Sequence, residues 1–174
     1  MRRLLLLRHA KAVKQSPSGK DRDRALEPRG HDDARMIGAW LQQHKMVPDL
    51  ALVSTAVRTR ETWDSVSADW PTVEIDLQDD LYGADPGELL RAVRTAAGRD
   101  PRRLMVIAHN PGLHEFALAL TASVNTKTGA ELADHLPTAG LAILDFAIDS
   151  WSDVSFRRGR LEDFVTPRHV KDAS

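Results

Sequence analysis

Leu4-Leu5-Leu6-Leu7 sits between arginines on both sides, and four consecutive leucines are costly to leave in water. A continuous apolar run of roughly four to eight residues with polar ends reads as a strand buried on both faces, as in a parallel sheet. The run stops at Arg8-His9-Ala10. Leu104-Met105-Val106-Ile107-Ala108 repeats the pattern and ends in His109-Asn110-Pro111-Gly112. Two buried parallel strands would thus each deliver a histidine at the carboxyl end, where ligands bind in open α/β sheets.

The intervening pattern supports that class. Residues 11–25 are polar and include Ser16-Pro17-Ser18-Gly19, a loop close to the first histidine. A helix is predicted from Pro28, with Ala34, Ile37 and Leu41 as its apolar stripe. Leu50–Val53 reads as a short strand, and Ser54-Thr55 as caps for a helix running to about Ala68. Val73–Leu77 alternates like a half-exposed strand, and Asp85-Pro86-Gly87-Glu88 opens a further helix. Asn110 is predicted to cap a helix starting at Pro111, with Leu113, Phe116, Ala117 and Leu120 facing inward. Residues 122–139 carry little pattern beyond a short helix around 130–135. Leu141–Ile148 and Val154–Phe164 read as two closing strands, antiparallel at a sheet edge. The predicted fold is a three-layer α/β/α sandwich with a mostly parallel central sheet and an antiparallel edge.

At 174 residues the chain fits one domain, residues 1–174. Its formal net charge of -1 argues against a nucleic-acid partner. With no cysteine, thiolate nucleophiles and Cys-ligated zinc are excluded, and a reducing compartment, the cytoplasm, is expected. Met1-Arg2-Arg3 and the leucines are too short a run for a secretory signal, and nothing is long and apolar enough for a membrane.

A third feature joins the two histidines. Arg58 follows the Leu50–Val53 strand and falls in the first turn of the next helix, where backbone N–H groups already favour an anion. On its own, a cation there opposes the helix dipole; an anion between the two removes the conflict. Arg8, His9, Arg58 and His109 would form a pocket for a phosphate dianion, whose oxygens suit the guanidinium fork. His114-Glu115 lacks the companions a zinc site needs, so no metal is expected. His31, His44, His135 and His169 are read as exposed, and the four tryptophans as packing residues.

These residues resemble the histidine phosphatase superfamily, with its phosphoglycerate-mutase-like fold, and most of all its short SixA-type phosphohistidine phosphatases. The matching segments are Leu7-Arg8-His9-Ala10-Lys11, Asp23-Arg24-Ala25-Leu26 with Gly30, Ser54 through Arg58 to Thr62, and His109-Asn110-Pro111-Gly112. The resemblance implies that His9 is the nucleophile that becomes phosphohistidine. It implies that Arg8, Arg58 and His109 bind the phosphoryl oxygens and act in catalysis, with Arg24 and Asn110 as further phosphate ligands. No metal or other cofactor is implied. Ala25 stands where the family often has proline, and Glu27 where it often has a Ser or Thr cap.

Larger family members carry a general acid near the start of a later helix; Asp85 and Glu88 are the nearest equivalents here. They also spell a capping box, the preferred reading. Without a committed acid, alkoxides should leave slowly, whereas imidazole is a better leaving group. The implied activity is hydrolysis of a phosphoric monoester or phosphoramidate, with protein phosphohistidine as the favoured substrate. The alternatives are a small-molecule phosphomonoesterase and a non-catalytic module that binds a phosphorylated partner.

Overall fold

A computed structural model describes residues 1–174. Seven strands form one sheet in the order β3-β2-β4-β1-β6-β7-β5. They are β1 Arg2–Arg8, β2 Leu50–Ser54, β3 Glu74–Gln78, β4 Arg103–Ala108, β5 Thr121–Val124, β6 Leu141–Phe146 and β7 Gly159–Val165. Strands β3, β2, β4 and β1 are mutually parallel, and β6 runs antiparallel to both β1 and β7. Six helices complete the fold: α1 Pro28–Gln43, α2 Val57–Val66, α3 Pro86–Thr95, α4 Gly112–Leu120, α5 Gly129–Asp134 and α6 Pro167–Ala173.

The leucine run explains why there are layers on both sides. Side chains alternate across a strand, so neighbours in one run must enter different cores. Leu4 and Leu6 pack with Leu104, Val106 and Phe116, whereas Leu5 and Leu7 pack with Met105, Ile107, Ile37 and Trp63. Helices α3 and α4 cover the first face, and α1 and α2 the second. All four leucines have no accessible surface, which at about 2 kcal/mol each is a large share of what holds β1 centrally. Trp63, Trp70 and Trp151 are buried as packing residues. No helix is long and apolar enough to cross a membrane.

Four local expectations are corrected. Ser54 and Thr55 do not cap α2: Ala56 occupies the N-cap with no side-chain hydrogen bond, because both hydroxyls are engaged elsewhere. Asn110 is likewise not the N-cap of α4, which begins at Gly112 after Pro111, although its Oδ1 accepts the His114 N–H at 3.2 Å. The stretch after α4 holds a strand, β5, that pairs parallel with β7 and forms the outermost strand beyond the antiparallel pair. Residues 151–153 are a 3-10 turn, so the last strand begins at Gly159 rather than Val154.

Candidate active site

Register brings the two histidines together. In the parallel β1–β4 ladder Leu7 faces Ile107 and Arg8 faces Ala108, so His9 and His109 are the next residues out on neighbouring strands. The His9 N–H still donates to the Ala108 carbonyl at 3.3 Å. The ring centroids lie 5.5 Å apart at an interplanar angle of 51°. Both residues are buried.

The turn after His109 depends on a glycine. A Cβ on Gly112 would lie 1.8 Å from the Ala84 carbonyl oxygen, so only glycine lets the start of α4 press against residues 84–85. That contact fixes where His109 leaves the sheet.

The hydrogen bonds of each ring determine what it can offer. His9 Nδ1 lies 2.8 Å from the Ala10 carbonyl, which can only accept, so Nδ1 carries the hydrogen and Nε2 keeps the free lone pair. Burial foremost, then the Arg58, Arg8 and Arg24 charges, lower the His9 pKa to about 4, against an opposing effect of the Ala10 hydrogen bond. The ring is therefore neutral near pH 7, as a nucleophile must be. His109 is lowered to about 3, again chiefly by burial and next by Arg58.

Ser54 at the end of β2 orients His109, its Oγ lying 2.8 Å from His109 Nε2. That oxygen also accepts the Ala56 N–H at 3.4 Å. With the serine donating its hydrogen to Nε2, the tautomer left on His109 has Nδ1–H as a donor. Nδ1 is buried and has no partner.

Both arginines show the same economy. Arg8 Nη1 donates to the Leu136 carbonyl at 3.1 Å, and Arg58 Nη1 and Nη2 donate to the Asp21 carbonyl and carboxylate at 2.9 and 3.0 Å. In each case Nε is buried and unpartnered. Arg8 is held below its usual pKa by burial and by the neighbouring Arg58 charge. Leaving buried donors unpaired is costly, about 1–3 kcal/mol apiece. Three such nitrogens around one neutral imidazole are a site built for an oxyanion.

Other expected ligands are placed differently. Arg24 gives Nε to the Val13 carbonyl at 2.7 Å and Nη1 to Asp21 Oδ1 at 2.8 Å, so those two nitrogens brace the loop. The Asn110 amide donates one of its two hydrogens to the Leu136 carbonyl at 2.9 Å, leaving the other for a ligand. Asp85 and Glu88 form the full capping box, Asp85 accepting the Glu88 N–H at 2.8 Å and Glu88 accepting the Asp85 N–H at 3.3 Å. Glu88 lines a groove with Asp76 and Arg99, whereas Asp85 borders the small cavity beside His109. His31 and His169 are half-buried rather than exposed, because they bond Ser65 and Glu131.

Two contributors escaped the sequence reading. Asp21 opens the run Asp21-Arg22-Asp23-Arg24, whose composition alone suits a solvated loop, yet it grips Arg58. Tyr82 donates its hydroxyl hydrogen to Asp21 and sets its ring edge-on to His109 at 5.3 Å. Each contact spans dozens of residues, so no local pattern announces it. A cavity of about 120 Å³ borders His109 on the side away from Arg8 and Arg58, which do not line it, while larger ones of about 600 and 640 Å³ lie around α6, away from His9 and His109.

Residues 4–89 match the histidine phosphatase superfamily, branch 1. An uncharacterised protein of Mycobacterium tuberculosis is 33% identical over 165 residues, which cover 93% of this chain and 100% of that protein. A solved structure from Agrobacterium tumefaciens, provisionally assigned as the phosphohistidine phosphatase SixA, is 32% identical with a TM-score of 0.78, over 95% of this chain and 98% of that one. A second with the same provisional assignment, from Nakamurella multipartitia, is 28% identical with a TM-score of 0.82, over 95% and 96% of the two chains. The protein histidine phosphatase SixA complexed with tungstate, 19% identical, has the same fold with a TM-score of 0.76 over 97% and 99%.

Proposed function

The chain belongs to the histidine phosphatase superfamily, in its SixA-type branch, and from that premise we propose that it hydrolyses phosphohistidine on proteins through a covalent intermediate on His9. Phosphatase activity is what the family and its SixA-like neighbours support. One observation carries the finer reading: the buried, unpartnered nitrogens of Arg8, Arg58 and His109 gathered around a neutral His9.

In this reading the phosphoryl group enters with its oxygens on the two Nε–H groups and on His109 Nδ1–H. The His9 Nε2 lone pair forms the N–P bond while the bond from phosphorus to the leaving atom breaks, its electron pair departing with the leaving group. Charge spread over the equatorial oxygens meets donors already in position, which is usually the largest part of such catalysis. Water then attacks phosphorus, the N–P bond returns its pair to Nε2, and phosphate leaves. The protein's own residues supply the nucleophile and all the oxyanion donors in this scheme.

One feature favours a protein phosphohistidine. Asp85 and Glu88 each spend an oxygen on the other's backbone N–H, so neither is committed to protonating an alkoxide, whereas an imidazole leaves more easily.

The test is turnover on a phosphohistidine-bearing protein against a panel of sugar and nucleotide phosphates. The reading expects a clear preference for the protein. Equal or faster rates on the small phosphates would make it a phosphomonoesterase, and tight phosphate binding with no hydrolysis would make it a binding module.

A further inference from the structure

We propose that Asp21 is a positioning residue for phosphoryl transfer: it clamps the outer edge of the Arg58 guanidinium so that the buried Nε edge meets the phosphoryl oxygens. The kinetic part of this inference rests on the phosphatase reading above; the anion-binding part does not.

The donor inventory of Arg58 leads to it. A guanidinium has five N–H donors in a rigid planar fork, and fixing one edge fixes the other. Asp21 takes one donor from each terminal nitrogen, its carbonyl accepting from Nη1 at 2.9 Å and its Oδ2 from Nη2 at 3.0 Å. The Asp21 side chain is 50% exposed and that of Arg58 only 7%, so the carboxylate sits on the solvent side. Nε remains buried and unpartnered. A carboxylate that merely plugged the anion site would occupy that buried nitrogen, and this one leaves it free.

Asp21 is itself held from two directions. Arg24 Nη1 donates to Oδ1 at 2.8 Å, and the Tyr82 hydroxyl shares Oδ2 with Arg58. The Tyr82 ring then touches His109 edge-on, and the Arg22 guanidinium covers it at 4.7 Å from the centroid. Arg58 and His109, two of the three donors around His9, are thereby tied to one frame. Small displacements of such groups cost rate steeply.

The measurement is binding of inorganic phosphate by calorimetry, beside kcat and KM on a phosphohistidine protein, for wild type, D21A, D21N and D23A. Deleting a negative charge beside an anion site should tighten phosphate if Asp21 only repels or plugs. Positioning predicts the reverse: D21A binds phosphate at least about threefold more weakly. Its kcat falls about tenfold or more, with KM moving less. D21N, which keeps one acceptor, falls in between. D23A, a loop carboxylate bound only to Ser18, matches wild type.

Phosphate binding in D21A as tight as wild type or tighter, or an unchanged kcat, overturns the proposal. Should wild type itself lack turnover, the phosphatase reading fails and the phosphate titration still decides on Asp21. If D21A does not fold, Y82F supplies the same test, since it removes one of the donors that hold Asp21 and keeps the ring against His109. It is expected to lower kcat less than D21A, and an unchanged kcat in Y82F would then count against the clamp.

Discussion

Replacing His9 with glutamine should make the folded protein less sensitive to mild acid, by an amount that follows from its burial. An unfolded histidine takes up a proton near pH 6.5, whereas folded His9 resists until about pH 4. Between those values the unfolded chain binds more protons than the native one, so stability falls as pH falls from 6.5 towards 4. Above 6.5 the ring is neutral in both states and contributes no pH dependence. At pH 5 the linkage amounts to about 2 kcal/mol for His9, and His109, lowered to about 3, contributes a similar amount. Carboxylates with lowered pKa, such as Asp21, are ionised in both states through most of this window and matter further into acid. Urea unfolding of wild type and His9→Gln at pH 7.5 and pH 5 reads mainly this term, because the remaining histidines cancel in the comparison apart from the smaller share of the His109 lowering that His9 supplies. The variant should lose about 2 kcal/mol less than wild type on acidification. Equal losses would mean that His9 is not held neutral by burial, and the argument for its readiness to attack would fall with it.

Ser54→Ala should lower kcat about tenfold or more while the protein stays folded, because His109 loses the donor that sets its tautomer; steady-state kinetics at wild-type kcat would refute that assignment. Asp85→Asn and Glu88→Gln, which keep the capping acceptors, should change stability in thermal or urea unfolding little and leave kcat on phosphohistidine intact. A collapse of kcat in either variant would restore it as a general acid. Gly112→Ala should destabilise by about 1–3 kcal/mol and slow turnover, since its Cβ would push the His109 turn off the Ala84 carbonyl. Wild-type stability there would show that this close approach is not required.

What was legible in the chain and what was not divides along physical lines. The leucine run and its counterpart at 104–108 announced two buried strands, because burial on both faces demands an unbroken apolar stretch. The Asp85 capping box was equally plain, being four adjacent residues whose geometry is local. Strand β5 was invisible, since Thr121–Val124 is largely exposed and owes its conformation to pairing with β7. Ser54 looked like a helix cap, and only the neighbouring strand shows that its hydroxyl serves His109 instead. The Asp21 and Tyr82 contacts with Arg58 and His109 depend wholly on tertiary placement, and an Asp-Arg-Asp-Arg run gives no hint of them.

Rapid quenching during turnover of a labelled phosphohistidine protein, followed by peptide mapping, addresses the covalent step itself. An acid-labile phosphoryl group should appear on the peptide containing His9, and His9→Ala should neither acquire it nor hydrolyse the substrate. Label on another residue, or hydrolysis undiminished in His9→Ala, would contradict the account.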